Sequence, residues 1–305
     1  MTQAATSAAV FKSKAREALS DPALQQAMDR AKGGFVGARR IAVEDLAEFD
    51  SLRDTARDIK DHVLNHLDLY LERYERKTIE NGGHVHWAQT AEEACQIVKK
   101  ICLDADARLV AKGKSMVSEE MELNRVLEEA GIEVAETDLG EYIIQLAGES
   151  PSHIIAPAIH KTREQITELF YENHKSHGFS ERVTRREAIV NEARAVLRSV
   201  FARADVGITG ANFLIAESGA NVIVTNEGNG DLSSTLPRVQ IITAGIEKVI
   251  PSLDDLSTFL RILGRSATGQ EMSAYTTLYS GPRREGEVEG PTEYHVVLLD
   301  NGRSA

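Results

Sequence analysis

The 305-residue sequence has only two cysteines, no apolar stretch near the ~20 residues that a membrane span needs, and a deficit of positive charge. Each scarcity excludes something. Cys95 and Cys102 fall within one helix-like stretch at a spacing that suits neither a disulfide nor a cysteine-ligated metal centre, so they read as reduced core thiols of a cytoplasmic protein. The opening MTQAATSAAVFKSKAR lacks the apolar run of a signal peptide, which points the same way. Lys plus Arg is 35 against 47 for Asp plus Glu, and the formal charge of −12 argues against a sequence-independent grip on nucleic acid or an anionic membrane. The expected partners are small molecules or other proteins, and a homo-oligomer stays open. At 42% hydrophobic and 27% charged, the chain can bury a full core and is neither disordered nor of low complexity.

Two regions follow from the patterning: a helical arm over residues 1–82 and one α/β domain over 83–305. The arm comprises an Ala-rich helix from Ser7 to Lys32, a break at Gly33-Gly34, and a second helix from Val43 to Glu80. In the second, Leu46, Phe49, Leu52, Ile59, Val63, Leu67 and Leu71 recur every three or four residues and form one apolar stripe. After Gly82-Gly83 the rhythm changes to short apolar runs alternating with capped helices. Strands are expected at His84–Ala88, Arg108–Lys112, Ile132–Asp138 and His153–Ile159. Helices open at Thr90 with Glu93 and at Thr162 with Gln165, where a hydroxyl three residues before Glu or Gln forms a capping box. Such alternation demands parallel strands with helices on both faces of the sheet. A helix is expected from Thr184, with Glu187 as its capping partner, to Arg203. Four apolar runs then follow (205–209, 212–217, 221–226 and 239–244), read as a hairpin-rich extension of the same sheet. A helix capped by Ser252 and two last strands, AYTTLYS and EYHVVLLD, complete the pattern.

Gly113-Lys114-Ser115 after a strand resembles a phosphate loop, but Arg108 stands where the Walker pattern needs glycine. What remains is Lys112 and Lys114 at the carboxyl end of a parallel strand, beside the next helix, where open α/β sheets place ligands. The densest signal is VGITGANFLIAESGANVIVTNEGNGD, Val206 to Asp231. Its glycines and asparagines suit tight turns, yet Glu217 and Glu227 sit at strand ends beside flexible turns, the setting of a general base or nucleophile or of a plain solvated charge. Asp138 and Glu141 bracket a strand-to-helix turn as caps or as ligand-facing carboxylates. His84 and His86 point to one face of a strand and make only half a zinc site, so no metal is expected. His62 and His66 read as surface, and His153 and His160 as possible proton carriers. No nucleophile elbow and no dinucleotide fingerprint is present.

The motifs GHVHWAQTAEEA, KGKSMVSEE, DLGEYIIQLAGESPSHIIAPAIHK, GITGANFLIAESGANVIVTNEGN, LPRVQIITAGIEKVIP and HVVLLDNGR, in this order over nearly the whole chain, resemble the lactate-utilisation (LUD) domain family. Within it they are similar to the iron–sulfur subunits of bacterial L-lactate-utilisation complexes. The resemblance implies a three-layer α/β/α fold, mostly parallel, of the sugar-isomerase and coenzyme A-transferase kind. It implies a part in oxidising L-lactate to pyruvate, other subunits as partners, and a small carboxylate substrate. It also implies [4Fe–4S] clusters in a ferredoxin-like region beyond this sequence or in a partner, since two cysteines cannot ligate one. The apolar run ending at Asp300, followed directly by the end of the chain, reads as a truncation. Lactate oxidation needs a base, a cation for the carboxylate and an acceptor. The expected base is Glu217, with Glu227 as the second carboxylate. Lys114 or Lys112 would hold the substrate carboxylate, and Ser115, Glu141, Gly210, Asn212, Asn226, Gly228 and Asn229 would wall the pocket. Two alternatives stand beside this: a non-catalytic assembly module using the helical arm, and an acyl or coenzyme A transferase whose nucleophile is a Glu of Glu217-Ser-Gly219 or Asn226-Glu-Gly228.

Overall fold

The computed structural model describes residues 8–153 and 156–305. At its centre six parallel strands lie in the order β1-β10-β7-β4-β2-β3. They are β1 (His84–Ala88), β2 (Leu109–Gly113), β3 (Glu133–Glu136), β4 (Val206–Gly210), β7 (Val239–Gly245) and β10 (Glu293–Leu299). β2, β4 and β7 are buried along their whole length, which is why they read as continuous apolar runs. On one face α6 (Ala91–Asp104), α7 (Met116–Glu120) and α8 (Leu123–Glu129) cover Val110, Val134, Ile208, Ile241 and Val297. On the other, α9 (Leu139–Ala147), α10 (Arg163–Asn173) and α11 (Arg186–Arg203) pack on Leu109, Ala111 and Ala135. The result is three layers, helix on sheet on helix.

The hairpin-rich extension of the sheet does not form as expected. β5 (Phe213–Ile215) and β6 (Ala220–Thr225) leave the central sheet and join β8 (Val249–Ile250) and β9 (Tyr275–Tyr279) in a separate sheet ordered β8-β5-β6-β9. Its inner face meets Ile242, Ala244, Val296 and Leu298 of the central sheet. Its outer face, with Val222 and Ile250, is covered by α13 (Leu253–Thr268) and by α4 (Phe49–Asn65). β4 is paired on both edges, by β2 and β7, and β7 by β4 and β10, so the hairpin between them in sequence has to find its own partners.

The helices before β1 are α1 (Ala8–Ser20), α2 (Pro22–Ala31), α3 (Gly37–Glu44), α4 and α5 (Leu67–Glu80). Gly33-Gly34 does not break the chain; Lys32–Val36 forms a π-helical turn that runs into α3. The single helix expected over 43–80 is interrupted twice, over residues 45–48 between α3 and α4 and at His66, whose φ is −135°. Its stripe is nonetheless the buried face: Phe49, Val63 and Leu71 are buried, and Ile59 and Leu67 pack beside them. Tyr74 of α5 is wholly buried and donates to Asn221 Oδ1 at 2.8 Å; Asn221 also bonds Tyr294. That polar link locks α5 to the small sheet and to β10.

Two further expectations need correcting. Of the strand expected at 153–159, Ile154 and Ile155 lie outside the described residues, and 157–160 form a turn. Thr184 does not cap α11, which starts at Arg186 after Arg185 with no side-chain cap. Thr90 and Thr162 do cap as expected, the second in a full box with Gln165, and Ser252 caps α13. Among the described residues no helix is long and apolar enough to cross a membrane.

Candidate functional site

The carboxyl ends of β2, β3, β4 and β7 converge with the start of α7. Parallel register places Lys112 of β2 directly beside Glu136 of β3, with Nζ 2.8 Å from Oε1. Both are buried, Lys112 to 1% exposure. Asn124 of α8 donates to the same Glu136 oxygen at 2.7 Å, while Glu136 Oε2 has no partner. A buried charge needs such a counter-ion, so the pair is one unit.

Two more carboxylates face it. Glu141 on α9 has its pKa pushed up to about 8, first by burial and then by repulsion from Glu136 and Asp138, against the pull of Lys112. Glu119 on α7 is also raised, again first by burial; Lys112 opposes this, and a hydrogen bond links it to Glu141. Together with Lys112 they line a cavity of about 970 Å³ between α7, α8 and α9. The carboxyl of Glu141 therefore holds a proton near neutrality, which makes it a group able to give or take one.

Lys114 lies outside this cavity, past the end of β2, in the left-handed region at φ 56°. Its ammonium pairs with Asp138 and, at 2.9 Å, with Glu227 Oε2. Burial pulls its pKa down, but the two carboxylates outweigh this and hold it above the usual lysine value. Asp138 caps α9 as expected, accepting from Gly140 N–H at 3.0 Å, and it also anchors Lys114. Glu227 is 61% exposed in its side chain and is the looser partner. Ser115 caps α7 and shares a buried hydroxyl cluster with Ser118 and with Thr243 of β7, at 2.7 and 2.6 Å. Gly210 is required: a Cβ there would lie 2.4 Å from the Lys114 carbonyl oxygen. Asn229 Nδ2 donates to Thr137 O at 3.1 Å and closes the rim, with Gly228 at the start of α12 (Asn229–Thr235).

The remaining expected site residues are not brought to this cleft. Glu217 lies at the opposite end of β6 from Glu227; its Oε1 accepts from Leu253 N–H at 2.7 Å, at the start of α13. Asn212 Oδ1 accepts from Val224 N–H at 2.8 Å and stabilises the β5–β6 hairpin. Asn226 is tied to Gln270 and to Ala274 N–H. His62 and His66 are exposed, and His160 pairs with Glu149 at 2.8 Å. His84 and His86 are joined by His295 of β10, 3.1 Å from His86, and burial with the neighbouring imidazoles lowers the pKa of His295 to about 4. Among the described residues no group of three such side chains is placed to hold a metal.

Sequence reasoning missed Glu119, Glu136 and Thr243. Glu136 carried one signal, a charge inside an expected strand, where only a paired group survives. The residues present do not fit an iron–sulfur cluster. Cys95 and Cys102 are both buried, burial raises both thiols, the second to about 12, and Cys95 Sγ donates to Met121 O. Two protonated core thiols cannot supply four thiolates.

The LUD domain family model matches residues 71–299. The chain is 44% identical over 297 residues to Lactate utilization protein B of Bacillus velezensis, covering 97% of this chain and 62% of that protein. It is 43% identical to the Bacillus subtilis protein of that name, over 96% of this chain and 61% of the relative. It is 42% identical to the uncharacterized electron transport protein YkgF of Escherichia coli, over 98% and 62% respectively. This chain thus spans about three fifths of the length of these relatives. A crystal structure of a DUF162 family protein from Deinococcus radiodurans superposes with a TM-score of 0.40 at 15% identity, over 76% of this chain and 98% of that one.

Proposed function

The chain belongs to the LUD domain family, and on that premise we propose that it serves lactate utilisation, as one component of a system that oxidises L-lactate to pyruvate. The two electrons leave together with the Cα hydrogen for an acceptor in a partner subunit or a region outside this sequence. The family match and the identity to two proteins named for lactate utilisation support the reading.

Within the chain, the observation that carries a substrate role is the exchangeable Lys114 pair. Lys114 is gripped by the half-buried Asp138 and by the exposed Glu227. A small carboxylate takes the place of Glu227 on the Lys114 ammonium, an ion-pair exchange with little net cost. The displaced Glu227 then lies beside the substrate, positioned to accept the hydroxyl proton, while Asp138 keeps the lysine aimed. Glu217 takes no part in this arrangement, because its carboxylate caps α13.

The test is growth on L-lactate of the source organism carrying the full-length gene with single substitutions. Loss of growth with Lys114→Met and with Glu227→Gln, but not with Glu217→Gln, is the expected pattern. Normal growth of a strain lacking the gene overturns the lactate role. Normal growth of the Lys114→Met strain, with loss in the deletion, moves the chemistry off this chain and leaves it an assembly module.

A further inference from the structure

One side of the Lys114–Glu227 pair is formed by the end of the small sheet. Thr225 is the last residue of β6, and its Oγ1 lies 3.2 Å from Glu227 Oε2, the oxygen that meets Lys114. Thr225 and Lys114 also share a neighbour: a Cβ on Gly230 would stand 3.8 Å from Thr225 Cγ2 and 3.9 Å from Lys114 Cγ. The face of β6 that carries Thr225 is therefore the face turned to Lys114.

The antiparallel ladder sets Tyr275, the first residue of β9, directly opposite Thr225. Paired residues of such a ladder project to one face with Cβ atoms about 5 Å apart, so the Tyr275 side chain starts beside Thr225 and on the side of Lys114. Asn226 fixes this placement from the next position along β6. Its Oδ1 accepts from Ala274 N–H at 3.1 Å, and its Nδ2 donates to Gln270 Oε1 at 2.8 Å. Asn226 thus does not reach Lys114 itself but holds the backbone that carries Tyr275. β9 presents two tyrosines to this face, and their hydroxyls are used differently. Tyr279 is 9% exposed and donates to Asp231 Oδ1 at 2.6 Å, which ties β9 to α12. Tyr275 is 47% exposed, and among the described residues its hydroxyl has no hydrogen bond. A phenol in that position keeps a donor and an aromatic face available to a ligand.

We propose that Tyr275 is a substrate-binding residue of this site: its phenol donates to the carboxylate of a small 2-hydroxy acid held on Lys114, and its ring covers that ion pair against water. The inference rests on the reading that Lys114 holds the substrate carboxylate. A carboxylate has two acceptor oxygens, and the Lys114 ammonium, which keeps Asp138 as a partner, leaves lone pairs on both for a further donor. A hydroxyl bonded to a carboxylate is of the stronger, charge-assisted kind, and a ring over the pair reduces its screening by solvent.

The experiment is isothermal titration of L-lactate into the intact 305-residue chain and into its Tyr275→Phe, Tyr275→Ala, Leu278→Ala and Lys114→Met variants, each checked for folding by thermal unfolding. The expected result is saturable binding by the wild type and a loss of affinity of about threefold to tenfold in Tyr275→Phe, which keeps the ring and removes only the hydroxyl. Tyr275→Ala loses more, because the ring goes as well. Leu278 pairs with Val222 on the other face of the same ladder, so Leu278→Ala binds as wild type and shows that a general loosening of β9 does not imitate the effect. Wild-type affinity in Tyr275→Phe, with loss in Lys114→Met, overturns the role of the Tyr275 phenol and leaves the Lys114 site standing. No saturable binding by the wild type, or undiminished binding in Lys114→Met, overturns the Lys114 reading and this inference with it.

Discussion

Replacing Lys112 by methionine probes the Lys112–Glu136 unit on which the strand-end cluster rests. Lys112 is 1% exposed and its partner 5%, so solvent screening does not soften the loss. Methionine keeps most of the lysine stem, which limits the cavity contribution and isolates the charge. Glu136 is left with one neutral donor, Asn124 Nδ2 at 2.7 Å, beside two more carboxyl groups. Breaking a buried pair from one side costs about 3 to 5 kcal/mol, because the remaining charge is uncompensated. For a chain of this size that corresponds to a fall in Tm of roughly 6–10 °C. Replacing both residues, as Lys112→Met with Glu136→Met, removes the orphan charge and returns stability to within about 2 kcal/mol of wild type. Urea unfolding of the wild type, both single variants and the double variant closes a double-mutant cycle. A single-variant loss under about 1 kcal/mol, or a double variant as unstable as the two singles added, would refute the idea that the pair acts as a unit.

Three other outcomes follow from the same geometry. Glu141 has a folded-state pKa near 8, above that of an unfolded glutamate; its contribution to stability is complete below about pH 4 and is lost as pH rises through 8. Denaturant unfolding at pH 5, 7 and 9 should therefore decline with pH in the wild type and less steeply in Glu141→Gln; equal slopes would show that this carboxyl is not protonated in the fold. Gly210→Ala forces a Cβ to within 2.4 Å of the Lys114 carbonyl and should destabilise by about 1–3 kcal/mol, whereas Gly228→Ala, with nothing within 4 Å, should change thermal stability by less than about 0.5 kcal/mol. Glu217→Ala removes the acceptor for Leu253 N–H and should cost about 1 kcal/mol, read by thermal unfolding, with no change in Lys114-dependent behaviour.

Much of the frame is legible in the sequence. Thr90, Thr162 and Ser252 cap the helices expected of them, because a cap is a contact within three residues. The apolar runs at 108–112, 205–209 and 239–244 mark strands, found at Leu109–Gly113, Val206–Gly210 and Val239–Gly245 and buried throughout. The pattern of the hairpin at 213–225 gives its strands but not their sheet, since local pattern says that a segment is extended and not which neighbour it pairs with. Thr184 failed as a cap although its spacing to Glu187 was right, because the chain enters α11 two residues later.

The sequence by itself determined the alternation of strands and helices, the parallel sheet, the buried stripe of the arm and the positions of Lys112 and Lys114 at a strand end. These depend on periodicity and on contacts only a few residues long. The tertiary structure alone decided which charges meet. Register between β2 and β3 placed Lys112 against Glu136, chain reversal after β6 brought Glu227 to Lys114 across 113 residues, and the same hairpin carried Glu217 to the far end, against α13. A carboxylate reads the same along the chain whether it will face a lysine, a helix end or water. Its chemistry is set by the neighbours that folding supplies and by the solvent that folding removes.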